Sequence, residues 1–446
     1  MAVSDNSLGT NMSAELLIRR HAAVDRSMVS VVFAGSVGTI IEWYDFLIYG
    51  TAAALVFNIL FFPTIDPLAG TLASLATYSV GFFARPIGGA IFGHFGDRIG
   101  RKVMLMITMA IMALGTFAVG CLPTYQQIGV WAPILLVTLR FIQGIGLGGE
   151  WGGASLMVTE HAPAGRRGLF GSLVQIGFPL GLVTSSGVFA LVTRMPDADF
   201  RSWGWRIPFL LSILLLGIGW FVRARVPETP VFEEIKRRGA IAKYPFVEAI
   251  VKNPRSFLVA VGLKISEVSW VYILTIFVVV YATGQLGLPR TLLLNAIFIA
   301  ALVEVITIPL FGWLSDYVGR RIFYILGTFF TAGFAFPLFW LLATKDPQTI
   351  IITVVLALSL GHGTMFGLQS AYFPELFPTR VRYSGASTGF QISAALGGGF
   401  SPIIATALAG AMGGTAGVSM MMILLALITF TATLCARETK GESLAD

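Results

Sequence analysis

Twelve apolar runs alternate with short polar segments along the 446-residue chain, each near the length of roughly 20 residues that a helix needs to cross a bilayer. They fall at 29–57, 71–93, 103–122, 132–159, 169–192 and 205–222, then at 256–281, 291–314, 322–343, 349–372, 385–410 and 416–436. The only long polar interruption is 223–255, so the pattern divides six plus six. It predicts an all-α polytopic membrane protein of twelve transmembrane helices, built as two six-helix repeats around a central cavity. The expected organisation is an N-terminal tail (1–28), a first bundle (29–222), a central loop (223–255), a second bundle (256–436) and a C-terminal tail (437–446).

The positions of Lys and Arg orient this arrangement, because such residues accumulate on the cytoplasmic side. With the N-terminus inside, 22 of the 30 fall in inner segments, five in outer loops and three within spans (Arg85, Arg140 and Lys264). Both termini are therefore expected in the cytoplasm. The halves also echo each other. GHFGDRIGRK (93–102) and GWLSDYVGRR (312–321) both fit G-x-x-x-D-x-x-G-R-[KR], and EHAPAGRRG (160–168) echoes ELFPTRVRYSG (375–385). Equivalent loops at equivalent places indicate a duplicated unit, and such repeats bracket a substrate site near the midplane.

Composition narrows the function. Charged residues make up 12% of the chain and hydrophobic ones 56%, against about 25% charged in soluble domains. The net charge of +7 sits in short loops without an aromatic-interleaved basic surface, which argues against a nucleic-acid partner. Cys121 and Cys435 lie near opposite ends of the sequence and indicate no disulfide framework. No G-x-x-x-x-G-K-[ST] is present, so ATP is not expected to drive anything here. Metal-ligand spacing, a cofactor motif and a nucleophile–base constellation are likewise missing, so the chain does not read as an enzyme.

The signature loop, filled here by Gly93, Asp97, Arg98, Gly100, Arg101 and Lys102, resembles that of the major facilitator superfamily. EWYDF in the first span, RPIGG in the second, RFIQGIGLGGEWGG in the fourth and SWGWRIPF before the sixth resemble its metabolite:proton symporter family more narrowly. That family includes permeases for shikimate, α-ketoglutarate, citrate and proline/betaine. Lys264 three residues before Glu267, and His362 in the tenth span, resemble its shikimate branch. The resemblance covers residues 30 to 436. It implies alternating access, driven by protons, in the inner (cytoplasmic) membrane. The ending ARETKGESLAD carries no heptads, which weighs against the family's osmosensing branch.

Charges inside the spans carry the chemistry, since each is costly in a bilayer. At 1.5 Å per residue, Asp45 lies about 18 Å and Arg140 about 12 Å from the outer ends of their spans, one level within the error of the boundaries. They are expected to neutralise each other, either as a fixed pair or as a switch in which Asp45 takes a proton and frees Arg140. Glu42 lies one turn from Asp45 on the same face and is a further proton-site candidate. Arg85 and Glu150 share a depth of about 12–13.5 Å from the inner side and are expected to pair. Lys264 is expected to pair with Glu267 or with Glu304. Candidate substrate contacts are Arg140, Arg85, Lys264, Glu267, His362, Gln143 and Tyr44, with Gln175, Gln369 and Gln391 as further donors. The aromatics Trp43, Trp151, Trp270 and Tyr272 are candidates for stacking.

The signature residues, with Asp316, Arg320 and Arg321 in the second half, are expected to gate rather than bind. A carboxylate at Asp97 would meet the positive end of the helix near Gly385, an interaction worth about 0.3–1 kcal/mol. The expected activity is proton-coupled uptake of a small organic acid, a mono- or dicarboxylate or shikimate-like compound, with protons and the lipid bilayer as its other partners. A zwitterionic osmolyte importer and an efflux antiporter of an anionic compound are the alternatives.

Overall fold

The computed structural model describes residues 6–63 and 67–444, with side chains from Met28 onward except at 67–69, 71, 72 and 75. The outermost residues of both expected tails, 1–5 and 445–446, lie outside the described residues. The chain is all-helical. Its membrane helices are α1 (Met28–Phe61), α2 (Pro67–Ile99), α3 (Arg101–Cys121), α4 (Trp131–His161), α5 (Ala164–Val192) and α6 (Gly204–Ala224). The second half follows with α7 (Pro254–Gly284), α8 (Arg290–Val318), α9 (Arg320–Ala343), α10 (Pro347–Glu375), α11 (Thr379–Ala411) and α12 (Ala416–Cys435). Helical backbone already begins at Asn6 and runs into α1, where the sequence pattern gave only a polar tail. Ala, Leu, Glu and Arg in that stretch are good helix formers, a property that hydropathy does not register.

Helices overrun their apolar cores at the signature loops, and this corrects the expectation that the motif residues sit in loops. Asp97 and Arg98 belong to the end of α2, and Arg101 and Lys102 to the first turn of α3. Between the helices only Gly100 leaves helical geometry, at φ 131°, and Gly319 does the same at φ 117° between α8 and α9. L side chains avoid that region. A Cβ at Gly100 would also strike the Glu228 carboxylate, and one at Gly319 that of Glu438.

The halves meet along two related seams, α2 against α11 and α5 against α8. Within the first half, Gly88 backs onto the Ile145 carbonyl and Gly148 onto that of Arg85, so small residues let α2 and α4 touch backbone to backbone. Four helices are locally widened to π geometry: α1 at Ala53–Phe57, α7 at Ile273–Phe277, α10 at Ala357–His362 and α11 at Ala394–Phe400. Such segments free backbone carbonyls and cluster at functional sites. Hydrophobic periodicity gave no sign of them.

Candidate transport cavity and gate

Between the halves lies a cavity lined by Glu42, Trp43, Arg85, Trp151, Phe178, Lys264, Glu267, Val268, Val271, Tyr272, His362, Phe366, Phe390, Gln391 and Ala394. In this conformation it is nearly closed, with a cavity volume of about 20 Å³, room for about one water molecule. Of the sequence candidates, Glu42, Arg85, Lys264, Glu267 and His362 meet here. Trp43, Trp151 and Tyr272 supply aromatic walls, with Phe178 and Phe366 beside His362 at ring distances of 5.3 and 4.5 Å.

Arg85 stands out because no acid holds it. Among the described residues it makes no ion pair, its Nε is buried without a hydrogen-bond partner, and the guanidinium lies over Phe46 at 4.4 Å and Phe82 at 4.6 Å. The expected Arg85–Glu150 pair is not formed. Glu150 instead accepts from Arg223 and from Thr108 at 2.7 Å, while Arg223 also donates to the Leu105 carbonyl at 3.0 Å. Depth matching missed this because Arg223 lies just past the apolar run 205–222, in the last turn of α6. Its long side chain nevertheless reaches back under α3 and is 4% exposed.

Asp45 and Arg140 do share a level. Both line a small void with Thr116, Gln143, Phe46, Met112 and Leu147, apart from the central cavity. They form no ion pair, however; the buried Asp45 carboxyl faces the Thr116 hydroxyl instead. Arg140 lies over Tyr49 at 4.3 Å and Phe46 at 4.6 Å.

Besides Arg140, two more substrate candidates fall outside the cavity. Tyr44 donates to the Pro208 carbonyl at 2.8 Å in a separate aromatic cluster, and Gln143 donates to Thr116 at 2.8 Å beside Asp45. Gln175 is occupied by Trp151 and the Phe366 carbonyl, both at 2.9 Å, and Trp270 by the Ala357 carbonyl at 2.7 Å.

Across the cavity, Lys264 pairs with Glu267 at 2.6 Å rather than with Glu304, and donates to Gln369 at 2.8 Å. Gln369 in turn donates to Glu267 at 2.8 Å. His362 then joins the two acids: Nε2 lies 2.9 Å from Glu267 and Nδ1 2.6 Å from Glu304.

On the signature-loop face the duplication becomes a pair of matched contacts. Asp97 accepts from the Tyr383 and Ser384 N–H groups in the first turns of α11, at 3.2 and 2.8 Å. Asp316 accepts from the Gly168 and Leu169 N–H groups of α5, at 2.8 and 2.9 Å. Each carboxylate therefore caps a helix of the opposite half, where backbone donors and the helix dipole favour it. Arg101 braces Asp97 and Glu160 at 3.3 and 3.5 Å, and Arg320 braces Asp316 and Glu375 at 2.8 and 3.4 Å. Behind them Glu228 accepts from the Lys102 N–H at 3.2 Å, and Glu438 from those of Arg320 and Arg321 at 2.9 and 3.0 Å. These two glutamates were missed by sequence reasoning. The signal was the short E-T echo at 228–229 and 438–439.

If the carboxylates hold the halves together, Asp97→Asn removes charge from two buried hydrogen bonds, each worth about 1.5–3 kcal/mol when charged. Initial uptake should fall at least about tenfold while the amount of protein in the membrane stays unchanged. Uptake at the wild-type rate, measured against quantified protein, would exclude this contact as a latch.

Known proteins agree with this architecture. The family model described as Major Facilitator Superfamily matches residues 46–398. The shikimate transporter of Escherichia coli is 46% identical over 375 residues, 83% of this chain and 85% of that protein. The inner membrane metabolite transport protein YhjE of the same organism is 41% identical, over 93% of this chain and 95% of that protein. A proline/betaine transporter of Salmonella typhimurium is 34% identical, over 94% and 85%. Among solved structures, the proton:xylose symporter XylE bound to 6-bromo-6-deoxy-D-glucose superposes with a TM-score of 0.73 at 18% identity, over 94% of this chain and 98% of that one. The chain is a multi-pass membrane transporter rather than an enzyme, and it belongs to the major facilitator superfamily.

Proposed function

We propose that this transporter is a proton-coupled symporter that imports a small organic acid across the cytoplasmic membrane, with both termini inside. The observation that carries the reading is Arg85: a buried cation facing the cavity between the halves, in no ion-pair contact among the described residues although Glu42 lines the same cavity. Burying a lone charge costs several kcal/mol, and a carboxylate arriving from solution would offset it. The aromatic walls suit a ring or an unsaturated carbon skeleton, and the 46% identity to a shikimate transporter points the same way.

Asp45 is the driving-proton site of this reading. Buried, in no ion pair and facing only the Thr116 hydroxyl, it fits a neutral, protonated acid in the conformation described here. Arg140 stands in the same void, ready to pair once the proton leaves. The Asp97 and Asp316 contacts close one side while the cavity is opened on the other, and alternate with the proton and substrate load.

The reading is tested by uptake of labelled shikimate and α-ketoglutarate into energised cells. Accumulation should collapse on adding a protonophore. Uphill accumulation that survives it would sink the proton coupling, and indifference to every carboxylate with uptake of betaine instead would favour the osmolyte reading.

A further inference from the structure

The cluster on the far wall of the cavity contains a proton count that its geometry fixes. His362 has one ring nitrogen 2.9 Å from a Glu267 oxygen and the other 2.6 Å from a Glu304 oxygen. Each short nitrogen–oxygen contact needs one hydrogen between its atoms, because two lone pairs at that distance repel. A neutral imidazole carries a single N–H and a carboxylate none, so two contacts require one proton more than the neutral ring supplies. This holds for either neutral tautomer, since both nitrogens face carboxylates. With that proton the group Lys264, Glu267, His362 and Glu304 is electrically neutral. Without it the group carries an uncompensated negative charge, costly at this depth.

We propose that Glu267, His362 and Glu304 form a second proton-holding site, separate from Asp45 and loaded in the conformation described here. The extra proton resides on His362 as an imidazolium donating to both acids. Discharge breaks one N–H bond of the ring and delivers the proton to water on whichever side the cavity opens, leaving a neutral imidazole that satisfies only one of the two carboxylates. Glu267 stays tied to α10 through Gln369, so the contact given up is that of Glu304, and α8 is then released from His362 on α10.

The backbone is built for such a step. His362 closes the π-helical segment Ala357–His362, and the carbonyl of Ala357 is held by the Trp270 indole of α7 at 2.7 Å. A widened turn has a second, regular arrangement available to it. The groups facing the site are Lys264 and Tyr272 on α7, Glu304 on α8, Tyr324 of α9 on the Glu267 side, and Gln369 on α10. Across the cavity stand Arg85 of α2 and Glu42 of α1, while α5 contributes only the ring of Phe178. Glu304 Oε2 is buried with no hydrogen-bond partner among the described residues, so this acid has His362 as its one polar tether.

The use of this proton in coupling rests on the symport reading above, whereas its presence does not, and the test separates them. In the full-length protein, purified and labelled with 15N-histidine, the His362 resonances are identified among the four histidines by their loss in His362→Gln. Both ring nitrogens should be protonated at pH 7.5, where an unconstrained histidine is mostly neutral. In Glu304→Gln, where one acceptor loses its charge, the ring should be neutral at that pH. A neutral His362 in the wild-type protein at pH 7.5 would overturn the proposal, and that measurement stands even if Glu304→Gln fails to fold. In proteoliposomes with shikimate as the probe, Glu304→Gln should keep exchange within about twofold and lose accumulation driven by a pH gradient by at least about tenfold. Equal loss of both would mark a structural role and overturn the coupling. A wild-type protein that ignores shikimate would count against that substrate class alone, with the resonance measurement deciding the proton site.

Discussion

Asp45→Asn is expected to abolish uphill accumulation while leaving exchange of substrate across the membrane largely intact. The two activities separate because only net transport requires the site to load a proton on one side and unload it on the other, whereas exchange returns with the load unchanged. Asparagine is nearly isosteric with a protonated aspartic acid, and its amide oxygen can still accept from the Thr116 hydroxyl that faces Asp45. Folding and the cavity should therefore be little disturbed. The measurement is a pair of assays on one proteoliposome preparation: accumulation under an imposed pH gradient, and counterflow without one. Accumulation should fall by two orders of magnitude or so, a change of about 2.7 kcal/mol in apparent coupling, with counterflow within a few-fold of wild type. Accumulation that persists would move the driving proton elsewhere.

Asp45 also illustrates what the sequence made legible. Twelve spans, the duplication and the level shared by Asp45 and Arg140 follow from periodicity and a fixed rise per residue, because one-dimensional depth is a property of a helix by itself. Lateral distance is not. The rings of Phe46 and Tyr49 take up the space beside Arg140, and only the packing of α1 against α4 decides that. The same limit explains why Glu150 paired with Arg223 instead of Arg85. Both arginines reach the inner third of the first half, but Arg223 enters it from the end of α6 by the length of its side chain. Glu267, His362 and Glu304 were each visible as intramembrane polar residues on three separate helices. Their convergence was not visible, because nothing in a single helix states which face meets a neighbour. The contacts at the signature loops were the most readable part. Its residues lie in two copies of one motif, and a duplicated motif gives two views of one arrangement. The glutamates behind it repeat only over two residues and drew no attention.

Arg85→Gln is expected to separate function from stability in opposite directions. A guanidinium that binds a carboxylate contributes a charge-assisted bond of about 1.5–3 kcal/mol, so its loss should raise KM roughly 10- to 100-fold for the acid, with a smaller effect on the maximal rate. A structural arginine would behave differently: its removal would strand a buried acid and cost about 3–5 kcal/mol of stability. No such acid pairs with Arg85 among the described residues. What holds it are the faces of Phe46 and Phe82, contacts of about 0.5–2 kcal/mol each, the Tyr272 hydroxyl and the charge of Glu42 across the cavity, set against a desolvation cost of several kcal/mol. Removing the charge should thus leave the unfolding temperature unchanged or raise it. Thermal unfolding of the purified variant, read beside its transport kinetics, tests both halves of the claim. A protein that unfolds several degrees earlier yet keeps its wild-type KM would show that Arg85 holds the bundle together, and the carboxylate site would then have to be sought at Lys264. Arg85→Lys refines the result. It restores the charge without the planar fork, so a partial recovery of KM would identify attraction by charge, and no recovery would identify bidentate geometry as what the substrate needs.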